Sequence, residues 1–296
     1  MKRLASRVFG SLVRSWVDEL QLQLGTTLRP GEAVSQKLLM QQYRMLAARG
    51  TEHLPSLDDV GFRVYSQFEE DGILLYLFSL IPPVNRRCVE ICAGDGRQCM
   101  TTNLIVNHGW WGYLFDGNEK NVRNGERFFA NQQDTFLHPP LFTHAWITAE
   151  SVDEQLCAAG ATGVVDLLSL DMDGMDYWVW KAVTAIQPRV VVCETNNLIP
   201  AGRALTVPYS RDFVWAADGY CGASLEAMCR LGKSKGYRLV GTHRFGFNAF
   251  FMADGVGEDL FPEVDPTACL RDPYTEKRRR NWAAVASKPW QDVGGT

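Results

Sequence analysis

Seven short β-branched or apolar runs punctuate residues 88–253, and helical spacing separates all but the last two. The runs fall at 88–92, 112–116, 142–147, 165–171, 189–194, 237–242 and 248–253. Helical patterns lie between them at 101–108, 122–130, 152–159, 177–186 and 224–235. Strands that alternate with covering helices build a parallel sheet. Only a few residues join the last two runs, which is enough for a hairpin and too little for a right-handed crossover, so the final strand runs antiparallel. A dinucleotide-binding domain would keep all its strands parallel. The expected fold class is therefore α/β, a mostly parallel Rossmann-like sheet with a C-terminal antiparallel hairpin.

Upstream, helical spacing covers 33–49, residues 50–61 read as a linker, and a helix over 69–80 stops at Pro82-Pro83. At 296 residues, a rule of about 150 residues per domain suggests two domains, but one α/β domain often takes 200–250. The division expected is a helical extension and linker at 1–61, one catalytic domain at 62–255 and a tail at 256–296. Thirty basic against thirty-four acidic residues leave a net charge of −4, too little field to recruit nucleic acid. Eight cysteines without a Cys-x-x-Cys pair fit free thiols in a reducing cytoplasm. No uncharged apolar run reaches the length of a membrane span.

The first run ends in Glu90-Ile91-Cys92-Ala93-Gly94-Asp95-Gly96. In open parallel sheets ligands bind beyond the carboxyl ends of the strands, where small residues let backbone approach them. Gly94 and Gly96 also allow positive φ. Asp116 closes the second run about twenty residues on, where a carboxylate can accept ribose hydroxyls. The dinucleotide pattern G-x-G-x-x-G has Cys99 at its third position, and Asp95 is a poor neighbour for a pyrophosphate. An acidic glycine loop suits S-adenosylmethionine, which carries a sulfonium, an amine and a ribose but no phosphate.

The segments Tyr65-Ser66-Gln67-Phe68-Glu69-Glu70-Asp71-Gly72, Val89-Glu90-Ile91-Cys92-Ala93-Gly94-Asp95-Gly96 and Gly109-Trp110-Trp111-Gly112 resemble FkbM-type class I methyltransferases. So do Asp116-Gly117-Asn118, Ser169-Leu170-Asp171-Met172-Asp173-Gly174-Met175-Asp176-Tyr177, Gly222-Ala223-Ser224-Leu225 and Gly246-Phe247-Asn248-Ala249-Phe250-Phe251. The resemblance runs in chain order over residues 62–255. It implies a seven-stranded methyltransferase fold, S-adenosylmethionine as donor, and O-methylation of a small-molecule or glycan hydroxyl on a sugar or polyketide-type product. By position it implies a donor site of Glu90, Ala93, Gly94, Asp95, Gly96, Asp116 and Gly117, approached by Ser66 and Gln67. Two departures are Cys92, where the related motif has Gly, and Asn118 in place of an acid. The alternatives are an NAD-dependent oxidoreductase and a non-catalytic module that binds a nucleotide cofactor.

The fourth run leads into Asp171-Met172-Asp173-Gly174-Met175-Asp176 and the fifth into Glu194-Thr195-Asn196-Asn197. Adjacent strand ends would gather hard oxygen donors that suit Mg²⁺ or Mn²⁺, and no Cys/His set argues for zinc. Asp171, Asp173, Glu194 and Asn196 are the expected ligands, with Asp171 and Asp173 catalytic through a cation that lowers the pKa of the acceptor hydroxyl. This pattern also resembles the metal site of catechol and macrolide-sugar O-methyltransferases. The competing readings are a metal-free carboxylate base and helix caps at Asp173 and Asp176.

His243 lies in the hairpin turn, either as a further catalytic base over the acceptor or as a solvated turn residue. Trp178 and Trp180 read as core, residues 209–220 as a loop over the acceptor, and Lys277-Arg278-Arg279-Arg280 as a solvated helix face. At the N-terminus Leu4, Val8, Leu12, Trp16, Leu20 and Leu24 form an amphipathic stripe beside Lys2, Arg3, Arg7 and Arg14. That stripe is expected to pack on its own domain or on a second copy as a homo-oligomer. Peripheral membrane contact through the basic face is the alternative.

Overall fold

The computed structural model describes residues 32–295, and the amphipathic stripe at 4–24 lies outside them. Strands β1 (Arg87–Ile91), β2 (Trp111–Asp116), β3 (Leu141–His144), β4 (Gly163–Leu170) and β5 (Ile186–Glu194) run parallel. A two-stranded ladder joins β6 (Leu205–Thr206) to β9 (Gln291–Asp292). The hairpin β7 (Tyr237–Thr242) and β8 (Asn248–Ala253) completes the main sheet, whose order is β3-β2-β1-β4-β5-β8-β7. β8 inserts between β5 and β7 and is antiparallel to both. This is an α/β Rossmann-like fold, with a parallel sheet and an antiparallel C-terminal hairpin as the short 242–248 connection requires.

Helices α1 (Glu32–Ala47), α2 (Leu57–Val60), α3 (Glu70–Leu80), α4 (Thr102–His108), α5 (Glu119–Ala130), α6 (Val152–Ala158), α7 (Asp176–Ala182), α8 (Leu225–Ser234), α9 (Pro266–Cys269) and α10 (Pro273–Arg279) surround it. Alternate residues of each central strand enter opposite cores. Val190 and Val192 pack with Leu74, Phe78 and Leu104, whereas Val191 and Cys193 pack with Trp180, Met228 and Phe251. Burial on both faces explains why these strands read as continuous apolar runs. Trp180 is fully buried at 5.0 Å from Phe251, as a core residue, while the indole of Trp178 donates to the Val207 carbonyl.

Two elements end three or more residues short of expectation. β3 stops at His144 instead of 147, because its partner among the described residues, β2, ends at Asp116 opposite His144. α7 stops at Ala182 instead of 186, because the Asp153 carboxylate accepts from the Thr184 and Ala185 amides and β5 pairs with β4 from Ile186 onward. The segment at 50–61 contains α2 and packs down, and Gly72 lies against the Phe62 backbone too closely for a Cβ. α1 is joined to α4 by Gln36, whose amide exchanges two hydrogen bonds with Asn103.

Candidate active site

The chain leaves β1 at the switch point, where β2 and β3 extend one way and β4 and β5 the other. Three left-handed residues follow within five positions: Cys92 (φ 66°), Gly94 (56°) and Gly96 (77°). A Cβ on Gly94 would meet nothing within 4 Å, so this part of the loop opens toward a ligand. Gly96 is needed for packing, since its Cβ would fall 2.7 Å from the Phe129 ring. Cys92 is exposed and occupies a conformation that costs an L-residue about 1–2 kcal/mol. Cys92→Gly is therefore expected to stabilise the fold by about 1 kcal/mol, read as a rise of about 2–4 °C in thermal midpoint. A fall would show that the thiol makes a contact worth more than the strain.

Asp116 ties the two halves of the donor edge together. One carboxylate oxygen accepts from the Gly94 amide at 2.8 Å. The other accepts from the Asn118 amide at 2.8 Å and the Asn121 side chain at 3.1 Å. Gly117 lets the Trp146 ring pack within 2.7 Å of where its Cβ would stand. Ala93 is buried and its amide donates to the Phe115 carbonyl, while Asp95 pairs with Arg97 at 3.2 Å.

Glu90 is buried, and it accepts from the Met100 and Thr101 amides, the Thr101 hydroxyl and the Cys99 thiol. It thus anchors the segment that follows the glycine loop. Ser66 is buried as well, bonded through its amide and hydroxyl to Asp71, whereas Gln67 is exposed. Asp71 also accepts from the Val64 and Tyr65 amides; burial pushes its carboxyl up to about 6 against those bonds.

Carboxylate oxygens of Asp171, Asp173 and Glu194 all lie within 4.8 Å of one another. Asp171 follows β4, Glu194 ends β5, and Asp173 turns the loop with φ 53°, a conformation Asp tolerates better than most residues. Burial, then Asp176 and Asp173, push the Asp171 carboxyl well above the usual range. Burial and then Asp171 do the same to Glu194, and burial alone raises Asp173. Glu194 Oε2 is buried with no hydrogen-bond partner.

Asp166, fully buried at the opposite sheet edge whereas Asp171 and Glu194 are half-buried and Asp173 is exposed, shows what a structural acid looks like here. It accepts from the amides of Val84, Asn85 and Arg86 and pairs with Arg189 at 2.9 Å. Three converging carboxylates, one with an orphaned buried oxygen, fit a hard divalent cation. β1, β4 and β5 are adjacent parallel strands, so the glycine loop after β1 and the acids after β4 and β5 leave the same edge of the sheet, and Asp176, Asp116, Asp171 and Asp173 all act electrostatically on Cys92.

Other candidates have different roles. Asn196 donates to the Gly219 and Cys221 carbonyls and accepts from the Leu198 amide, so its side chain shapes the 219–221 turn. Met175, not Asp173 or Asp176, is the N-cap of α7. Asp176 is buried within the first turn and accepts from the Met172 and Gly174 amides, which closes the loop that presents Asp171 and Asp173.

His243 is fully buried, contrary to the solvated reading. It stacks on Phe68 at 5.4 Å, its Nδ1 accepts from the Phe245 amide, and its Nε2 lies 3.5 Å from Glu70. Burial holds its pKa below the usual histidine value despite Glu70. Phe68 and Phe247 close around this turn, a long-range enclosure that turn composition does not reveal.

The 209–220 loop does reach this edge. Phe213 packs on Gly174 where no Cβ would fit, and the Trp146 indole donates to the Arg211 carbonyl at 2.8 Å. Phe213 belongs to the expected 209–220 loop, whereas Trp146 was not expected at the site; an isolated aromatic carries no periodicity to mark it. A separate cavity of about 690 Å³ lies beyond β7, lined in part by Leu54, Leu57, Tyr76 and Phe261, and shares no residue with the glycine loop or the acid cluster.

No family model and no curated protein matches this chain. Solved structures similar to it include S-adenosylmethionine-dependent methyltransferases. An O-methyltransferase from Bacillus cereus in complex with SAH is 13% identical over 79% of this chain and 96% of its own, with a TM-score of 0.41. The N-terminal domain of EvdMO1 with SAH bound is 12% identical over 73% and 94%, with a TM-score of 0.41. A TehB-like methyltransferase from Corynebacterium glutamicum is 12% identical over 75% and 99%, with a TM-score of 0.36.

Proposed function

We propose that this chain is an S-adenosylmethionine-dependent O-methyltransferase acting on a hydroxyl of a sugar, glycan or polyketide-type product, with Mg²⁺ or Mn²⁺ held by Asp171, Asp173 and Glu194. The observation that carries this reading is the three-carboxylate cluster with its buried, unpartnered Glu194 oxygen, at the same sheet edge as the open glycine loop. When bound, the donor supplies an electrophilic methyl on a sulfonium and the cation supplies Lewis-acid charge.

The residues of the chain do the rest. Gly94 leaves room for the donor, and Asp116 holds the loop while keeping acceptor capacity for a ribose hydroxyl, since a carboxylate has about four lone-pair sites and three donors reach it here. With the cation bound, Asp171, Asp173 and Glu194 would hold it as ionised ligands beside the acceptor oxygen. In its absence the raised proton affinity of Asp171 and Glu194 suits one of them to take the proton that the hydroxyl loses. Asp176 keeps the Asp171–Asp173 loop in register, and Phe213 and Trp146 restrict water at its rim.

All eight cysteines are free, which supports placement in a reducing cytoplasm. Among the described residues no helix is long and apolar enough to cross a membrane.

Calorimetry tests the reading with S-adenosylmethionine, S-adenosylhomocysteine and NAD, each with MgCl₂ or EDTA. Binding of both sulfur ligands and none of NAD is expected. Heat with NAD alone would favour the oxidoreductase. Methyl transfer that survives EDTA would remove the cation and leave Asp171 or Glu194 as the base.

A further inference from the structure

The chain after β8 returns to the carboxyl edge of the sheet. α10 starts at Asp272, whose side chain accepts from the Tyr274 amide. Thr275 is fully buried, and its hydroxyl donates to the Phe245 carbonyl in the β7–β8 turn at 2.9 Å. Arg278 and Arg279 follow Thr275 by three and four positions, so all three lie on the helix face turned toward that hairpin. The Arg278 guanidinium carbon sits 5.0 Å from the centroid of Phe247.

Phe247 adjoins the acid cluster. Its carbonyl accepts from the Thr195 amide, and the next residue, Asn248, pairs with Glu194. Arg278 also falls within the electrostatic reach of Cys221, as do Glu194, Asp176 and Asp173. Among the described residues neither arginine forms an ion pair, although the exposed Arg230, Arg123 and Arg244 all do. Arg279 Nε and Nη2 are buried with no hydrogen-bond partner. Buried guanidinium donors left unpaired are costly, and within the run 277–280 Lys277 and Arg280 are exposed as expected, whereas Arg278 and Arg279 are half-buried.

We propose that Arg278 and Arg279 form a subsite for an acidic group, a carboxylate or a phosphate ester, on the hydroxyl acceptor. The inference rests on the methyltransferase reading and narrows its substrate to an anionic one. A guanidinium fork matches the oxygens of either group bidentately, and the Phe247 ring supports the Arg278 cation from below. The acid cluster repels an anion, so the two charged regions orient the acceptor: its acidic end stays at α10 and its neutral hydroxyl turns toward Asp171 and Glu194.

Calorimetry on the full chain with MgCl₂, with and without S-adenosylhomocysteine, would compare glucuronate, glucose 6-phosphate and glucose. At least one anionic sugar is expected to bind about tenfold or more tightly than glucose, and the preferred anion tells carboxylate from phosphate. Arg278→Gln/Arg279→Gln should remove that preference while S-adenosylhomocysteine affinity stays within about twofold. Arg278→Gln alone, a half-buried side chain on a ring face, carries the test if the double variant does not fold. Equal affinity for anionic and neutral sugars in the wild type, or a preference that survives both substitutions, overturns the proposal. Loss of S-adenosylhomocysteine binding in the wild type would overturn the methyltransferase reading instead, and the arm without that ligand still reads the anion subsite.

Discussion

Asp171→Asn is expected to lower methyl transfer by about 10³-fold, the size of effect seen when one preorganised electrostatic group is removed from a reaction site, while raising the thermal midpoint of the metal-free protein at pH 8. The second half follows from the sign of the carboxyl shift. Burial and the neighbouring acids hold the folded-state pKa above the unfolded value, so the fold disfavours the ionised form. Stability is then lost as pH rises from the unfolded pKa through the folded one. Asparagine keeps the shape and removes that loss. A gain of a few degrees is expected, given that about 1 kcal/mol moves the midpoint by about 2–4 °C at this size.

Mg²⁺ should stabilise the wild type more at pH 8 than at pH 6, because it binds the deprotonated carboxylates, and should do little for the variant. Thermal melts at both pH values, with MgCl₂ or EDTA, check all three statements. A lower midpoint for the metal-free variant at pH 8, or equal Mg²⁺ stabilisation of both proteins, would sink the assignment.

Asp116→Asn should weaken S-adenosylhomocysteine binding by about 100-fold, whereas Asp173→Asn should leave that affinity within about twofold and abolish turnover. Asp116 holds the Gly94 and Asn118 amides at 2.8 Å each, so the geometry of the donor loop depends on it. Hydrogen bonds to a charged group contribute about 1.5–3 kcal/mol apiece, and a loss of about 2.7 kcal/mol is a factor of 100 in affinity. Asparagine at 173 keeps the left-handed turn accessible, which separates loss of the cluster's charge from loss of the loop. Titration calorimetry with S-adenosylhomocysteine distinguishes the two variants. Equal donor affinity for Asp116→Asn and wild type would show that the ribose edge lies elsewhere.

Much of the frame was legible because its signals are local. Apolar runs at 88–92 and 189–194 can only be buried strands, and five residues between β7 and β8 admit only a hairpin. The glycine loop showed through Gly94 and Gly96, and the acids after β4 and β5 through their position at strand ends. Less visible were roles that depend on distant partners. Glu90 and Asp116 are both acids at strand ends, yet Glu90 is enclosed by the 99–101 segment while Asp116 spans the two loops of the donor edge. His243 looked like a turn residue because Phe68, 175 positions earlier in the chain, is what buries it.

The sequence by itself determined the α/β class, the antiparallel hairpin and the strand ends that carry chemistry, since hydrophobic period, loop length and glycine placement act within a few residues of one another. Only the tertiary structure decided which acids remain unsatisfied. Asp166 and Glu194 are both carboxylates of central strands, but four donors meet Asp166 while Glu194 Oε2 has none. Whether a buried charge is structural or available for chemistry depends on donors from elsewhere in the chain, and only folding brings those into place.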